Sequence, residues 1–86
     1  MADYSVVFAR SARKEFEKLD EPHCSRVLSR IRGLSQNPRP EGCRKLLGAA
    51  DLWRIRIGEY RVIYRIEEGR KEVDVIVVRH RSTAYR

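Results

Sequence analysis

Residues 52–64 read Leu-Trp-Arg-Ile-Arg-Ile-Gly-Glu-Tyr-Arg-Val-Ile-Tyr, and apolar and basic side chains alternate in this stretch on either side of a Gly-Glu pair. A period of two predicts β-strands, because successive side chains of a strand point to opposite faces. A two-residue loop that begins with glycine suits the type II′ turn that joins antiparallel strands. The stretch therefore predicts a hairpin with one apolar face and one basic face.

The two faces of this predicted hairpin suit different tasks. The apolar face is large enough to pack beneath helices, and its seven residues are Trp53, Ile55, Ile57, Tyr60, Val62, Tyr64 and Ile66. The basic face carries Arg54, Arg56, Arg61 and Arg65, with Ile63 among them. Like charges on adjacent strands repel each other and contribute nothing to folding, so the basic face favours a bound anion. In the alternative, the arginines extend into water and Glu67, Glu72 or Asp74 neutralises them.

The rest of the chain supplies helices and further strands. Residues 4–8 predict a first strand, and Ala12, Phe16 and Leu19 form an apolar stripe at helical spacing. Residues 24–34 predict a second amphipathic helix, residues 41–51 a connecting loop, and residues 72–79 a long strand that is covered on both faces. We therefore expect a single α+β domain over residues 1–86, of order β-α-α-β-β-β, with two N-terminal helices packed on a small twisted antiparallel sheet.

The charge of the chain indicates an anionic partner. Its 86 residues include 19 Lys and Arg against 12 Asp and Glu, a net charge of +7 with a pI near 10. The excess is concentrated in residues 44–86, which hold 11 basic and 6 acidic residues. Arginine binds phosphate through planar, bidentate contacts, and an open sheet suits a single RNA strand with its bases splayed out. A soluble basic surface without a specific ligand is the alternative.

Several classes of protein are disfavoured by the same sequence. Two cysteines, Cys24 and Cys43, are too few for a disulfide framework and lack neighbours at zinc-ligand spacing. The N-terminus has no signal-peptide pattern, and no apolar run approaches the length of a membrane span. We expect a cytoplasmic protein that uses no metal and no cofactor.

The C-terminal segment adds groups that can transfer protons. Residues 78–86 read Val-Arg-His-Arg-Ser-Thr-Ala-Tyr-Arg and follow the last predicted strand. Metal-free RNA cleavage needs a base for the 2′-hydroxyl, cations at the phosphate and an acid for the leaving 5′-oxygen. Either His80 or Tyr85 is a candidate for the base or the acid. In the structural alternative, His80 caps the end of the strand and Tyr85 packs on the edge of the core.

Residues 52–64, together with the ending Val78-Arg79-His80-Arg81 and Tyr85, resemble RelE-type toxins of the RelE/ParE toxin–antitoxin superfamily. The predicted first strand, the two helices and the Lys45-Leu46-Leu47-Gly48 segment also resemble that family, so the resemblance covers essentially the whole chain. It implies a RelE-like fold, ribosome-dependent mRNA cleavage that inhibits translation, and neutralisation by a RelB-like antitoxin.

The resemblance also implies roles for individual residues. It assigns catalytic roles to Arg54, Arg56, Arg61 and Arg79, and the role of the base to Tyr85. Lys45, Arg65 and Arg81 are the expected RNA contacts, with Arg81 sharing the role of Arg79. The best-known members carry lysines where this chain has Arg54 and Arg56. Because charged arginine is a poor proton donor, the general acid stays open and His80 remains a candidate.

Two other functions are compatible with the same pattern. A ParE-like toxin would share the fold and inhibit DNA gyrase by protein–protein contact, without a catalytic set. A noncatalytic RNA-binding module would use the same basic face. The first hypothesis predicts ribosome-dependent cuts in the mRNA, the second predicts gyrase-trapped DNA breaks without mRNA cuts, and the third predicts salt-sensitive binding of intact RNA.

Overall fold

The computed structural model describes residues 3–48 and 51–81, which form two helices and one five-stranded sheet. The α+β class predicted from the sequence is confirmed. The elements are β1 (Ser5–Phe8), α1 (Arg10–Glu17), α2 (His23–Gly33), β2 (Arg44–Lys45), β3 (Leu52–Ile57), β4 (Tyr60–Glu67) and β5 (Glu72–His80). The short strand β2 lies within the segment that the sequence predicts as a loop, so the sheet has five strands and not the four that the sequence predicts.

The sheet is mixed, which corrects the expectation of a purely antiparallel one. Its strand order is β1-β5-β4-β3-β2, and all neighbours are antiparallel except β1 and β5, which run parallel. A parallel pair needs a long crossover connection, and here both helices and three strands lie between its two members. The side-chain pattern of β1 is the same for either direction of pairing, so the sequence did not reveal this arrangement.

Both helices pack on the same face of the sheet. The helices and the C-cap of α2 contribute four residues with at most 1% of their surface exposed, which are Ala12, Val27, Ile31 and Leu34. They meet the buried strand residues Ile55, Ile57, Val62, Tyr64, Ile66, Val73, Val75 and Val78. The predicted apolar face of the hairpin therefore forms the side of the sheet against which the helices pack. Neither α1 nor α2 packs on the opposite face, which we call the open face.

The tight turn at the tip of the hairpin is the one that the sequence predicts. Ile57 and Tyr60 are Cα partners, and Gly58 adopts φ 60° between them while Glu59 does not have a positive φ. This combination matches the type II′ turn. The turn aligns β3 and β4, so that each arginine of β3 has a defined neighbour on β4.

A β-bulge in β5 determines which face its last residues occupy. Tyr64 pairs with Val75 and Ile63 pairs with Val77, so Ile76 has no partner on β4. The extra residue moves the buried positions from Val73 and Val75 to Val78. Without this shift Arg79 would point into the core, whereas with it Arg79 lies opposite Arg61. Within residues 3–48 and 51–81, helices cover only one face of β5, so the expectation that this strand is covered on both faces is wrong for the part of the chain that the structure describes.

The helices of the described residues are 8 and 11 residues long, and neither is long and apolar enough to cross a membrane.

Candidate functional site

Three arginines form a row across the open face. Arg56 of β3 is the Cα partner of Arg61 of β4, which in turn is the partner of Arg79 of β5. Directly paired residues project from the same face of a sheet, and neighbouring strands lie about 4.8 Å apart. Arg56 and Arg79 are exposed and Arg61 is half-buried. The tertiary structure thus brings three cationic side chains from three strands to one site, which we call the arginine row.

A second row lies one step further along the strands, away from the hairpin turn. It runs from Arg44 of β2 through Arg54 of β3 to Ile63 and Val77. Arg54 is half-buried beside the arginine row, on the same strand as Arg56. The positive charge of this second row is therefore confined to its β2–β3 side, while its β4–β5 side is apolar.

Arg65 is set apart from the other arginines by one further step. Its Cα partners are Leu52 and Asp74, and Asp74 is also the partner of Val7. A carboxylate thus lies beside Arg65, as the alternative of neutralised arginines requires. Arg65 lies two residue pairs from Arg61, which is about 13 Å along the strand. The structure does not bring it to the arginine row.

A pocket of about 200 Å³ opens between the hairpin turn and the end of β5. It is lined by Arg56, Gly58, Glu59, Tyr60, Arg61 and Arg81. Arg81 is held there by two contacts with Glu59: its backbone N–H donates to the Glu59 carbonyl oxygen (2.7 Å), and its Nη1 lies 3.4 Å from Oε1. Three guanidinium groups therefore border one small pocket beside the arginine row, a suitable environment for a phosphate group.

His80 lies on the helix side of the sheet, not on the open face. It pairs with Tyr60, and the two rings meet edge to face with centroids 5.2 Å apart. Tyr60 packs on the core and also contacts His23 of α2, at 5.5 Å between ring centroids. This placement separates the His80 ring from the arginine row by the thickness of the sheet. The candidate base Tyr85 lies outside the described residues.

The edge strand β2 reveals a basic residue that the sequence analysis missed. Lys45 pairs with Trp53, which packs on the core, whereas Arg44 pairs with Arg54 of the open face. The expected RNA contact Lys45 therefore projects from the helix side, and Arg44 projects from the open face. The pairing of β2 with β3 distinguishes the two residues, and no periodicity in a two-residue strand could have done so.

The groups with clearly displaced pKa values in the described part of the chain include Tyr4 and Glu68, which are remote from the arginine row, and Tyr64, which lies in the core. Glu68 accepts hydrogen bonds from the Tyr4 hydroxyl (2.6 Å) and from Arg39 (2.8 Å), and these lower its pKa. The same bond to Glu68 raises the pKa of Tyr4. Burial raises the pKa of Tyr64, whose hydroxyl donates to the Pro38 carbonyl oxygen. None of these groups belongs to the arginine row, because Glu68 and its partner Tyr4 lie about 23 Å along β4 from Arg61 and Tyr64 lies in the core.

Comparison with known proteins agrees with this architecture. The family model described as "ParE toxin of type II toxin-antitoxin system, parDE" matches residues 6–85. Toxin RelE of Mycobacterium tuberculosis is 30% identical over 84 residues, which is 96% of this chain and 87% of that protein. Toxin RelG of the same organism is 32% identical, with 96% and 97% covered.

Solved structures of RelE proteins have the same fold. The archaeal RelE–RelB complex from Pyrococcus horikoshii superimposes with a TM-score of 0.81 at 30% identity, covering 92% of this chain and 96% of that one. The isolated E. coli RelE toxin gives a TM-score of 0.80 at 28% identity, with 90% and 83% covered. Fold, sequence and the extent of the match agree, and the chain belongs to the ParE toxin family of type II toxin–antitoxin systems, as a RelE-type toxin of the RelE/ParE superfamily.

Proposed function

We propose that this toxin is a metal-independent, ribosome-dependent mRNA endoribonuclease that inhibits translation in the cytoplasm. The observation that supports this most directly is the arginine row, in which Arg56, Arg61 and Arg79 meet across three strands. A toxin that acts through protein contact alone has no need for three like charges in register, because their repulsion opposes folding. A phosphate group bound between the three guanidinium groups offsets their mutual repulsion by its attraction to each of them.

The proposed reaction is attack of a 2′-hydroxyl on the adjacent phosphate. The O2′–P bond forms, the P–O5′ bond breaks, and the products carry a 2′,3′-cyclic phosphate and a 5′-hydroxyl. Arg54, Arg56, Arg61 and Arg79 stabilise the charge that grows on the phosphate oxygens, and Arg81 binds at the adjoining pocket.

Proton transfer is the part of the mechanism that arginines cannot perform. We assign removal of the 2′-hydroxyl proton to Tyr85, as the resemblance to RelE-type toxins implies. A phenol, whose ordinary pKa is near ~10, serves as a base at neutral pH only where cationic groups lower its pKa. Protonation of the leaving 5′-oxygen needs a donor other than an arginine, whose pKa exceeds ~12. The position of His80 behind the sheet, against Tyr60, disfavours it for either step.

The partner that follows from this proposal is a RelB-like antitoxin. RelE of P. horikoshii was solved with RelB, and a toxin–antitoxin complex from M. tuberculosis matches this chain with a TM-score of 0.82 at 30% identity. A domain of net charge +7 with an open cationic face suits an acidic segment that folds on binding. Such a segment would exclude RNA from the arginine row or displace the segment that carries Tyr85.

The test is translation of a defined mRNA with purified toxin, followed by primer extension to map cuts. Cuts should require ribosomes, and Arg61→Ala should lower their rate by roughly 100- to 1,000-fold, as expected for loss of a preorganised charge contact. Tyr85→Phe should cause a comparable loss. The matched control is Arg70→Ala, which removes an exposed arginine from the turn after β4, at the opposite end of that strand.

Two outcomes would replace this proposal with another. Intact mRNA together with gyrase-trapped DNA breaks would identify a ParE-like activity. Salt-sensitive RNA binding with no cuts, in the presence or absence of ribosomes, would identify a noncatalytic RNA-binding module.

A further inference from the structure

Arg44 and Lys45 are adjacent basic residues with opposite orientations. They form the short edge strand β2, both are exposed, and their Cα partners are Arg54 and Trp53 respectively. Neighbouring residues of a strand project to opposite faces, so only Arg44 shares the open face with Arg54. Variants of Arg44 and Lys45 can therefore be compared directly, because the two positive charges are adjacent and differ mainly in the face of the sheet that they occupy.

The charge of Arg44 contributes no visible stability. Its direct partner is another arginine, and like charges opposite each other on adjacent strands destabilise a sheet. Within residues 3–48 and 51–81, no carboxylate forms an ion pair with Arg44. The position of this guanidinium group therefore suggests an anion that comes from outside the protein.

The charge of the open face is distributed unevenly on the two sides of the arginine row. Moving along the strands from the arginine row, the β4–β5 side leads through Ile63 and Val77 to the paired Arg65 and Asp74, whose opposite charges offset each other. The β3–β2 side leads through Arg54 to Arg44 at the edge of the sheet. A polyanion that occupies the arginine row meets no net positive charge on the first path, whereas it meets two guanidinium groups on the second. Arg44 is a diagonal neighbour of Arg56, with Cα atoms roughly 7–8 Å apart, close to the repeat of phosphates in an extended strand.

We propose that Arg44 binds the phosphate next to the scissile one, at the point where the mRNA crosses the β2 edge and leaves the sheet. This inference rests on the proposed endoribonuclease function and extends it to a substrate-binding residue outside the arginine row. Arg44 acts in binding, because it lies one strand beyond Arg54 and Arg56, and it has no part in proton transfer.

The experiment compares Arg44→Ala with Lys45→Ala in ribosome-dependent cleavage. Arg44→Ala should raise KM about tenfold with little change in kcat, since a contact made equally in ground and transition states affects binding alone. Arg44→Lys should recover part of this loss, because lysine keeps the charge but not the bidentate geometry. Lys45→Ala should raise KM less than about threefold, since its side chain projects from the helix side. Equal losses in the two alanine variants would overturn the inference, because net charge and not position would then explain them.

Binding to a short single-stranded RNA, measured by fluorescence anisotropy at several salt concentrations, separates this inference from the proposed function. Arg44→Ala should reduce the slope of log affinity against log salt by about 0.7, the value for one lost phosphate contact on a single strand. If the wild-type toxin cuts mRNA but Arg44→Ala leaves both KM and this slope unchanged, only the inference about Arg44 fails. If the wild type makes no cuts, the endoribonuclease proposal fails, and an unchanged slope would then reject the Arg44 contact as well.

Discussion

At the residue scale, the hydroxyl of Tyr64 shows how one buried polar group stabilises the fold. Tyr64 is fully buried, and its hydroxyl donates to the Pro38 carbonyl oxygen at 2.6 Å. Tyr64→Phe should lower the free energy of unfolding by about 1–3 kcal/mol, because the buried carbonyl loses its donor. Urea unfolding with an unchanged m-value measures this loss. In the described part of the chain the Tyr60 hydroxyl has no hydrogen bond, so a loss as large in Tyr60→Phe would contradict the explanation.

Glu68 is the residue that gives the fold a predictable response to acid. The Tyr4 hydroxyl, and then Arg39, hold its pKa below the ordinary value of 4.5. A carboxylate whose pKa is lower in the folded state contributes stability above its unfolded pKa and loses that contribution as pH falls through the folded value. Between about pH 6 and about pH 3, the melting temperature of the wild type should therefore fall more steeply than that of Glu68→Gln. If the melting temperatures of the two proteins fell in parallel with pH, the hydrogen bonds from Tyr4 and Arg39 would not contribute to the stability of the fold.

At the element scale, the β3–β4 hairpin depends on the backbone conformation of one glycine. Gly58 has φ 60°, and a Cβ there would lie 3.3 Å from the Arg26 guanidinium. Gly58→Ala should cost about 1–2 kcal/mol, since the left-handed region is strained for any residue with a Cβ. Thermal unfolding measures the loss. The control is Gly69→Ala, where φ is not positive and an added Cβ meets nothing within 4 Å, so a similar loss there would point to a cause other than strain.

The bulge of β5 provides a test of register that does not alter any arginine. Deletion of Ile76 should produce a regular β4–β5 pairing in which Val77 still faces Ile63 and Arg79 still faces Arg61. The deleted protein should fold and retain mRNA cleavage within about tenfold, because the arginine row is preserved.

An extra valine inserted after Val75 should have the opposite effect. The bulge would have to absorb two residues, or Arg79 would turn toward the core, where an unpaired charge is strongly disfavoured. Circular dichroism melts and primer extension of both variants check this pair of outcomes. Equal activity in the insertion and the deletion would exclude a role for the register of β5.

At the scale of the whole molecule, the distribution of charge should determine how RNA binding responds to salt. The open face offers about five guanidinium groups near the arginine row, from Arg44, Arg54, Arg56, Arg61 and Arg79. If each contacts one phosphate, log affinity should fall with log salt with a slope of about −3.5 for a single strand. Anisotropy titrations of a short RNA measure the slope, and a value near zero would exclude phosphate recognition by this face.

The sequence alone determined the features of this protein that depend on local periodicity. The alternation of residues 52–64 specified the hairpin and its two faces, Gly58 specified the turn, and the spacing of Val27, Ile31 and Leu34 specified the buried stripe of α2. Each of these signals lies within a single element or a two-residue loop, so no knowledge of distant pairing was needed.

Only the tertiary structure decided how separate elements align. It placed β1 parallel to β5, oriented Arg44 and not Lys45 toward the open face, and used the bulge at Ile76 to bring Arg79 opposite Arg61. It also placed His80 on the helix side of the sheet. The reason is that a shift of one residue in strand pairing exchanges the two faces, and such a shift leaves the local pattern of side chains unchanged.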